Sequence, residues 1–244
     1  MTWSNWSGSV DCDAEVVRPR NRDDVVDVLS TASTARPAGS GHSFSPLVAS
    51  DDIVLDFSRM DDVAVYEDEA VAVVQPGVTL GEMNEAAGRV GLTMENMGDV
   101  DRQTVVGAVS TGTHGTGEFG ALANYVSGVE VVTPDGDVEW IDRDDPRLEF
   151  AAISLGALGV VTSLEFELVD DYGLRMERRR EPLEDAVSNF RQRVRDSRNH
   201  EFFWFPHTET AITKTSVEAD VSGGSRGDAG IANKAFELLC RSVD

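Results

Sequence analysis

The chain has 244 residues, and 44 Asp and Glu against 21 Lys and Arg give a formal charge of -23 at pH 7. A field of that sign repels nucleic acid and anionic membrane, so neither is expected as a partner. Lys214 and Lys234 are the only lysines, and an acidic, lysine-poor composition is what a cytoplasmic protein of a salt-accumulating halophile is expected to show.

Glu15 to Pro19 reads as a strand. It leads into Asn21, with Asp23 and Asp24 in the first turn of a helix that runs on Val25, Val26, Val28 and Leu29 to about Thr34. Strands follow at Ala35–Ala38, Ile53–Phe57, Val63–Tyr66 and Ala70–Gln75. Thr79 and Glu82 form a capping box for a helix to about Arg89, with Gly91 beyond it. Val126–Thr133 and Val138–Ile141 flank Pro134-Asp135-Gly136-Asp137 as a hairpin. A helix is expected over Asp144–Leu155 and a strand over Val160–Leu168. The pattern restarts after Asp170-Asp171-Tyr172-Gly173, with a strand to Arg180, a helix Leu183–Val194 and a strand Glu201–Phe205. A glycine-serine loop at 222–227 and a helix Ile231–Arg241 end the chain. The reading is an α+β domain over residues 1–172, followed by a partial second unit over 173–244.

The N-terminus lacks the basic and apolar segments of a signal peptide, and no stretch approaches the ~18 apolar residues of a membrane span. Cys12 and Cys240 show no metal or redox spacing, and His200 and His207 have no ligand partners at useful spacing, so no metal site is expected. The Arg178-Arg179-Arg180 run reads as a solvated strand face.

Two glycine loops carry the chemistry. In Gly39-Ser40-Gly41-His42-Ser43-Phe44, Phe44 stands where a dinucleotide fingerprint needs its third glycine, and Pro46 bars a helix start, so the nicotinamide reading fails. Gly112-Thr113-His114-Gly115-Thr116-Gly117 has no Gly-Lys-Ser/Thr and is no Walker loop. Two neutral loops rich in glycine and hydroxyls suit a diphosphate held by backbone amides. His114 in the second loop reads as a brace for the backbone.

The order of these loops, with Thr104 to Gly117 intact and Leu155-Gly156-Ala157-Leu158-Gly159-Val160-Val161 following, resembles the flavin-binding (PCMH-type) domain of the vanillyl-alcohol oxidase superfamily. The nearest branch is that of the aldonolactone and alditol oxidases. The resemblance spans about residues 15–170 and continues more weakly through Phe202–Thr208, which looks like the start of that branch's substrate domain. It implies a two-subdomain FAD-binding domain with FAD between the loops. Gly39 to Phe44 and Gly112 to Gly117 would meet the diphosphate, Thr104 and Ser110 the isoalloxazine or ribityl end, and Val160 or Val161 the adenine side, with Gly107 also among the cofactor-binding residues. It further implies that His42 is bonded to the C8 methyl of the flavin, a neutral imidazole adding there and raising the flavin potential. The implied reaction is hydride transfer from a hydroxyl-bearing carbon of a polyol, sugar or aldonolactone, with electrons passed to oxygen. Family members are considerably longer, and their base and cation lie mostly beyond the last residue here. A catalytic base is therefore not assigned, and a module that binds FAD without turnover, an oligomer or a complementing chain stand as alternatives.

Overall fold

The computed structural model describes residues 2–220. The chain opens with a small hairpin, β1 (Trp3–Ser4) and β2 (Asp11–Cys12), followed by β3 (Glu15–Val17) and helix α1 (Arg22–Thr31). Asn21 caps α1 by accepting from the Asp24 N–H at 2.9 Å, and Asp23 and Asp24 lie at the positive end of the helix dipole. Next come β4 (Ala35–Ala38) and β5 (Ile53–Asp56). β3 and β4 flank β5 in a parallel three-stranded sheet. Successive side chains of β5 point to opposite faces: Leu55 packs with Val25 of α1, while Val54 packs with Ala14 and Ala38 on the hairpin side.

The chain continues through β6 (Val63–Tyr66), β7 (Val71–Val74), α2 (Leu80–Gly88), β8 (Leu92–Thr93), α3 (Val105–Ser110), β9 (Val126–Val132), β10 (Val138–Asp142), α4 (Leu148–Ala152) and β11 (Val160–Glu167). The larger strands form an antiparallel sheet in the order β10-β9-β11-β7-β6. Its inner face, including Val74, Leu164 and Phe166, is covered by Leu80 and Met83 of α2, Val105 and Val109 of α3 and Ala151 and Ala152 of α4. Val132 and Val160 turn the other way and join Val25 and Leu55, so one apolar cluster ties the parallel sheet to the antiparallel one.

Beyond β12 (Val169–Asp170), which pairs with β8, a three-stranded antiparallel sheet is built from β13 (Leu174–Pro182), β14 (Asn199–Trp204) and β15 (Thr210–Glu218), with α5 (Leu183–Asp196) after β13. The order is β13-β15-β14. The arrangement is mixed helix and strand throughout, as the α+β reading expects. Besides the short strands β1, β2, β8 and β12, which the sequence reading did not assign, three elements differ from it. The stretch at 105–110 is a helix, because Thr104 caps it and Val105, Ala108 and Val109 supply an apolar face at helical spacing. The helix expected over 144–155 is confined to Leu148–Ala152; Asp145 accepts from the Arg147 N–H and holds the preceding residues in a turn. β15 was not expected at all. Loop 222–227 and the helix expected at 231–241 lie outside the described residues.

Among the described residues, the sheet β13-β15-β14 contains one buried side-chain atom with no hydrogen-bond partner, Nε2 of His200. The ring is 2% exposed, packs against Phe190 and meets the Thr215 hydroxyl through Nδ1 at 2.8 Å. Burial pushes its pKa down, and the Arg193 guanidinium adds to this against the opposing pull of Glu181 and Glu201. The unfolded chain therefore takes up a proton that the folded chain refuses, and this stability, present above pH ~6.5, is lost as pH falls towards the folded value. His200→Gln should flatten the fall in urea-unfolding stability between pH 7 and pH 5. An unchanged slope would show that the ring does not couple to folding.

Candidate functional site

A cleft of about 230 Å³ opens between the parallel sheet and the antiparallel sheet with its helix α3. Its first wall is the chain leaving the carboxyl end of β4, from Gly39 to Ser43, and its second is the start of α3. The two come together at glycine. A Cβ on Gly39 would overlap Thr104 Oγ1 and lie 3.6 Å from the Gly107 Cα, while a Cβ on Gly107 would lie 2.7 Å from the same hydroxyl oxygen. Thr104 is buried there because its Oγ1 accepts from the Gly107 N–H and caps α3. Ser40 ties the loop to the segment before α3 by donating to the Arg102 carbonyl at 2.7 Å. Gly41 has a φ of +69, the left-handed region that glycine adopts without strain.

The N–H groups from Ser40 to Phe44 meet no acceptor among the described residues, so the loop presents free donors beside the cleft. The charge pattern is equally specific. Among the described residues, none of the 22 that line it is Asp, Glu, Lys or Arg, and His42 is the only titratable one, in a chain that carries 44 acids. A cleft built this way accepts a doubly charged diphosphate on amide dipoles without a neighbouring carboxylate to repel it.

A second cavity, about 570 Å³, lies between the antiparallel unit and the sheet β13-β15-β14. It is lined by His114, Gly115 and Thr116, but also by Asp99, Asp171, Glu201 and Lys214. Lys214 is held between Asp99 at 2.7 Å and Glu201 at 2.6 Å. Burial opposes its charge, yet the two carboxylates outweigh it and hold the ammonium pKa above its ordinary value. Beside the cavity Arg198 pins the two units together. Its guanidinium covers the Tyr172 ring at 3.9 Å and the Phe119 ring at 4.4 Å, and it pairs with Glu95 and Glu218.

Gly39, Ser40, Gly41, His42, Ser43, Thr104, Gly107, Ser110 and Val161 therefore line one cleft. Phe44 projects into solvent, 69% exposed. Val160 and Val161 part company because neighbours in a strand face opposite ways: Val160 enters the cluster around Val25. The second glycine loop divides. Gly112 and Thr113 spend their N–H groups on the Val109 and Ala108 carbonyls and so end α3. His114, Gly115 and Thr116 face the acidic cavity, with His114 Nδ1 2.8 Å from the Gly115 carbonyl oxygen, and Gly117, at φ +96, packs on the Arg198 carbonyl. Sequence reasoning missed Gln103, counted the Thr111 hydroxyl with the second loop although it lines this cleft, and gave Leu155 no site role although it quoted the segment that starts there. Leu155 bears no signal of its own, since its φ of +53 is set by the turn into Gly156, which backs onto Pro37.

A family model described as "FAD binding domain" matches residues 14–142, the stretch that contains both walls of the neutral cleft. The chain belongs to this FAD-binding family. This confirms its place in the vanillyl-alcohol oxidase superfamily, and FAD is its cofactor. A second model, described as "D-arabinono-1,4-lactone oxidase", matches residues 164–240. Among individual relatives, the L-gulono-1,4-lactone dehydrogenase of Mycobacterium tuberculosis is 32% identical over 225 residues, covering 89% of this chain and 52% of its own length. The D-arabinono-1,4-lactone oxidase of Saccharomyces cerevisiae is 25% identical, covering 86% and 42%. This chain thus spans about half the length of the curated relatives it matches. The crystal structure of cholesterol oxidase from B. sterolicum superposes with a TM-score of 0.83 at 20% identity, over 89% of this chain and 47% of that one, which establishes a shared fold.

The FAD-binding family's cofactor fits the neutral cleft by the glycine cradle and the free amides. The volume, about 230 Å³, is below the ~300–1,000 Å³ of an enclosed ligand pocket, so the cleft has room for only part of a dinucleotide. Gly39→Val should weaken FAD binding by about tenfold or more, because the added carbons displace Thr104 and fill the approach. Gly88→Ala, whose Cβ would meet nothing within 4 Å, should bind as wild type. Titration of apo-protein followed by flavin fluorescence checks both, and equal affinities would place the cofactor elsewhere.

Proposed function

We propose that the protein is an FAD-linked oxidoreductase acting on the CH–OH group of an aldonolactone or a related sugar or polyol, with the FAD diphosphate on the Ser40–Ser43 amides. The observation that carries this reading is the acid-free cleft in an otherwise acidic chain. The lactone-oxidising relatives support the substrate class. Bound FAD supplies the hydride acceptor; the chain supplies position and charge. The amides of the first loop offset the diphosphate charge, and Thr104 and Gly107 keep the second wall at contact distance. His42 is the residue that carries the flavin through its imidazole. It lines the cleft, and no hydrogen bond engages its ring nitrogens among the described residues, so a lone pair is free. The electron acceptor in this reading is oxygen. The acidic, lysine-poor composition supports a cytoplasmic protein of a salt-accumulating cell.

The cleft's own composition favours one alternative, a module that holds FAD without turnover. With His42 committed to the flavin, no titratable side chain among the described residues lining the cleft is left to take the hydroxyl proton. Anaerobic bleaching of the bound flavin by L-gulono-1,4-lactone or an alditol separates the two readings.

The attachment has its own test. Wild-type protein loaded with FAD should give a yellow pellet after acid precipitation, and His42→Ala a colourless one while still binding FAD before denaturation. A colourless wild-type pellet would reduce His42 to a loop residue.

A further inference from the structure

The His42 loop is gripped from outside by the N-terminal hairpin, and the grip is centred on His42 itself. Asn5, 5% exposed, closes the hairpin by donating its backbone N–H to the Val10 carbonyl and accepting from the Val10 N–H at its side-chain oxygen, 3.1 Å away. Its side-chain amide then reaches across to the Ser43 carbonyl at 3.0 Å. The next residue, Trp6, donates its backbone N–H to the Gly41 carbonyl at 3.0 Å. The carbonyls on either side of His42 are therefore both held by residues 5 and 6. Contact is close enough that a Cβ on Gly41 would stand 3.3 Å from the Asn5 Cα and from the Trp6 nitrogen.

The side chain completes the arrangement. The indole of Trp6 lies nearly parallel to the His42 imidazole, with centroids 5.4 Å apart and planes inclined by 22°. Phe44 meets the other edge of the indole at 6.0 Å and 85°. Trp6 is 64% exposed, so it contributes little to the core, and the His42 ring is its main aromatic neighbour beside Phe44. Hydrogen bonds do not orient the imidazole within the described residues; the stack does.

We infer that Trp6 is a positioning residue for His42, fixing the imidazole plane for attachment of the flavin, with Asn5 anchoring the loop on which that ring turns. The inference rests on the attachment reading above. In that step an imidazole nitrogen bonds to the C8 methyl carbon. One methyl C–H and the imidazole N–H are lost as protons, two electrons pass to the flavin ring, and dioxygen then removes them. The reaction needs a lone pair aimed at one carbon, so an imidazole free to rotate about its side-chain bonds loses rate even where FAD itself is bound unchanged.

The test uses the full chain, reconstituted with FAD in aerated high-salt buffer. Total flavin per chain is measured after gel filtration, and the attached fraction is followed in time by acid precipitation. Trp6→Ala and Trp6→Leu should slow attachment by about tenfold or more while total FAD stays within about twofold of wild type, and Trp6→Phe, which keeps a flat ring, should restore the rate. Attachment by Trp6→Ala at the wild-type rate overturns the inference and leaves the attachment reading intact. A parallel loss of total FAD, attached fraction and thermal stability in all three variants also overturns it, since the role is then structural. A wild-type chain that attaches no flavin overturns both.

Discussion

The approach of two glycines, Gly39 and Gly107, across the buried hydroxyl of Thr104 is the constraint on which the rest of the structure depends. A single β-carbon on either glycine would strike the Thr104 hydroxyl and push apart the loop that leaves β4 and the start of α3. Everything else in the first domain serves to bring those two backbones to that distance. Asn21 and the valines of α1 set the parallel sheet, the capped α2 and α3 cover the antiparallel one, and the Val25–Leu55–Val132–Val160 cluster joins the sheets so that their loops meet.

Electrostatics then separates the two cavities. Both contain glycines and hydroxyls, and both look suited to phosphate on composition alone. Among the described residues, one is lined by no acidic side chain, whereas the other includes Asp99, Asp171 and Glu201 around a lysine already claimed by two carboxylates. A diphosphate brought into the second would meet like charge at close range in a partly desolvated space, where repulsion is screened least. The acidic cavity is better described as the seam between the flavin domain and the following sheet, sewn by Lys214 and Arg198.

What was legible in the sequence was mostly local chemistry. Caps at Asn21 and at Thr79 with Glu82, and the turn at Pro134–Asp137, announce themselves within four residues, and each is found as read. Helix α3 was hidden because it runs straight into the glycine and hydroxyl stretch from Ser110 to Gly117, and six residues are too few for a periodicity to show. β15 was hidden because Thr213 and Ser216, both buried, occupy positions where an apolar residue would have signalled a strand. The first glycine loop was legible as one that turns tightly and meets a second backbone closely, as Gly41 at φ +69 and Gly39 against Thr104 do. What each glycine of the second loop does was not, since ending a helix at Gly112 and admitting Asn96 beside Gly115 call for the same residue as a phosphate cradle. The role of Trp6 left no sequence signal, because a stack on His42 depends on a hairpin folding back over about 35 residues.

The central claim is that the neutral cleft, and not the acidic seam, holds the diphosphate. A crystal structure of the chain with FAD, grown in concentrated salt, tests it most directly. The account predicts phosphate oxygens within hydrogen-bonding distance of the Ser40–Ser43 N–H groups, about 2.7–3.2 Å, with the Thr104–Gly107 turn against the ligand's other side. Diphosphate density beside His114, Gly115 and Thr116, with the first loop empty, would contradict it.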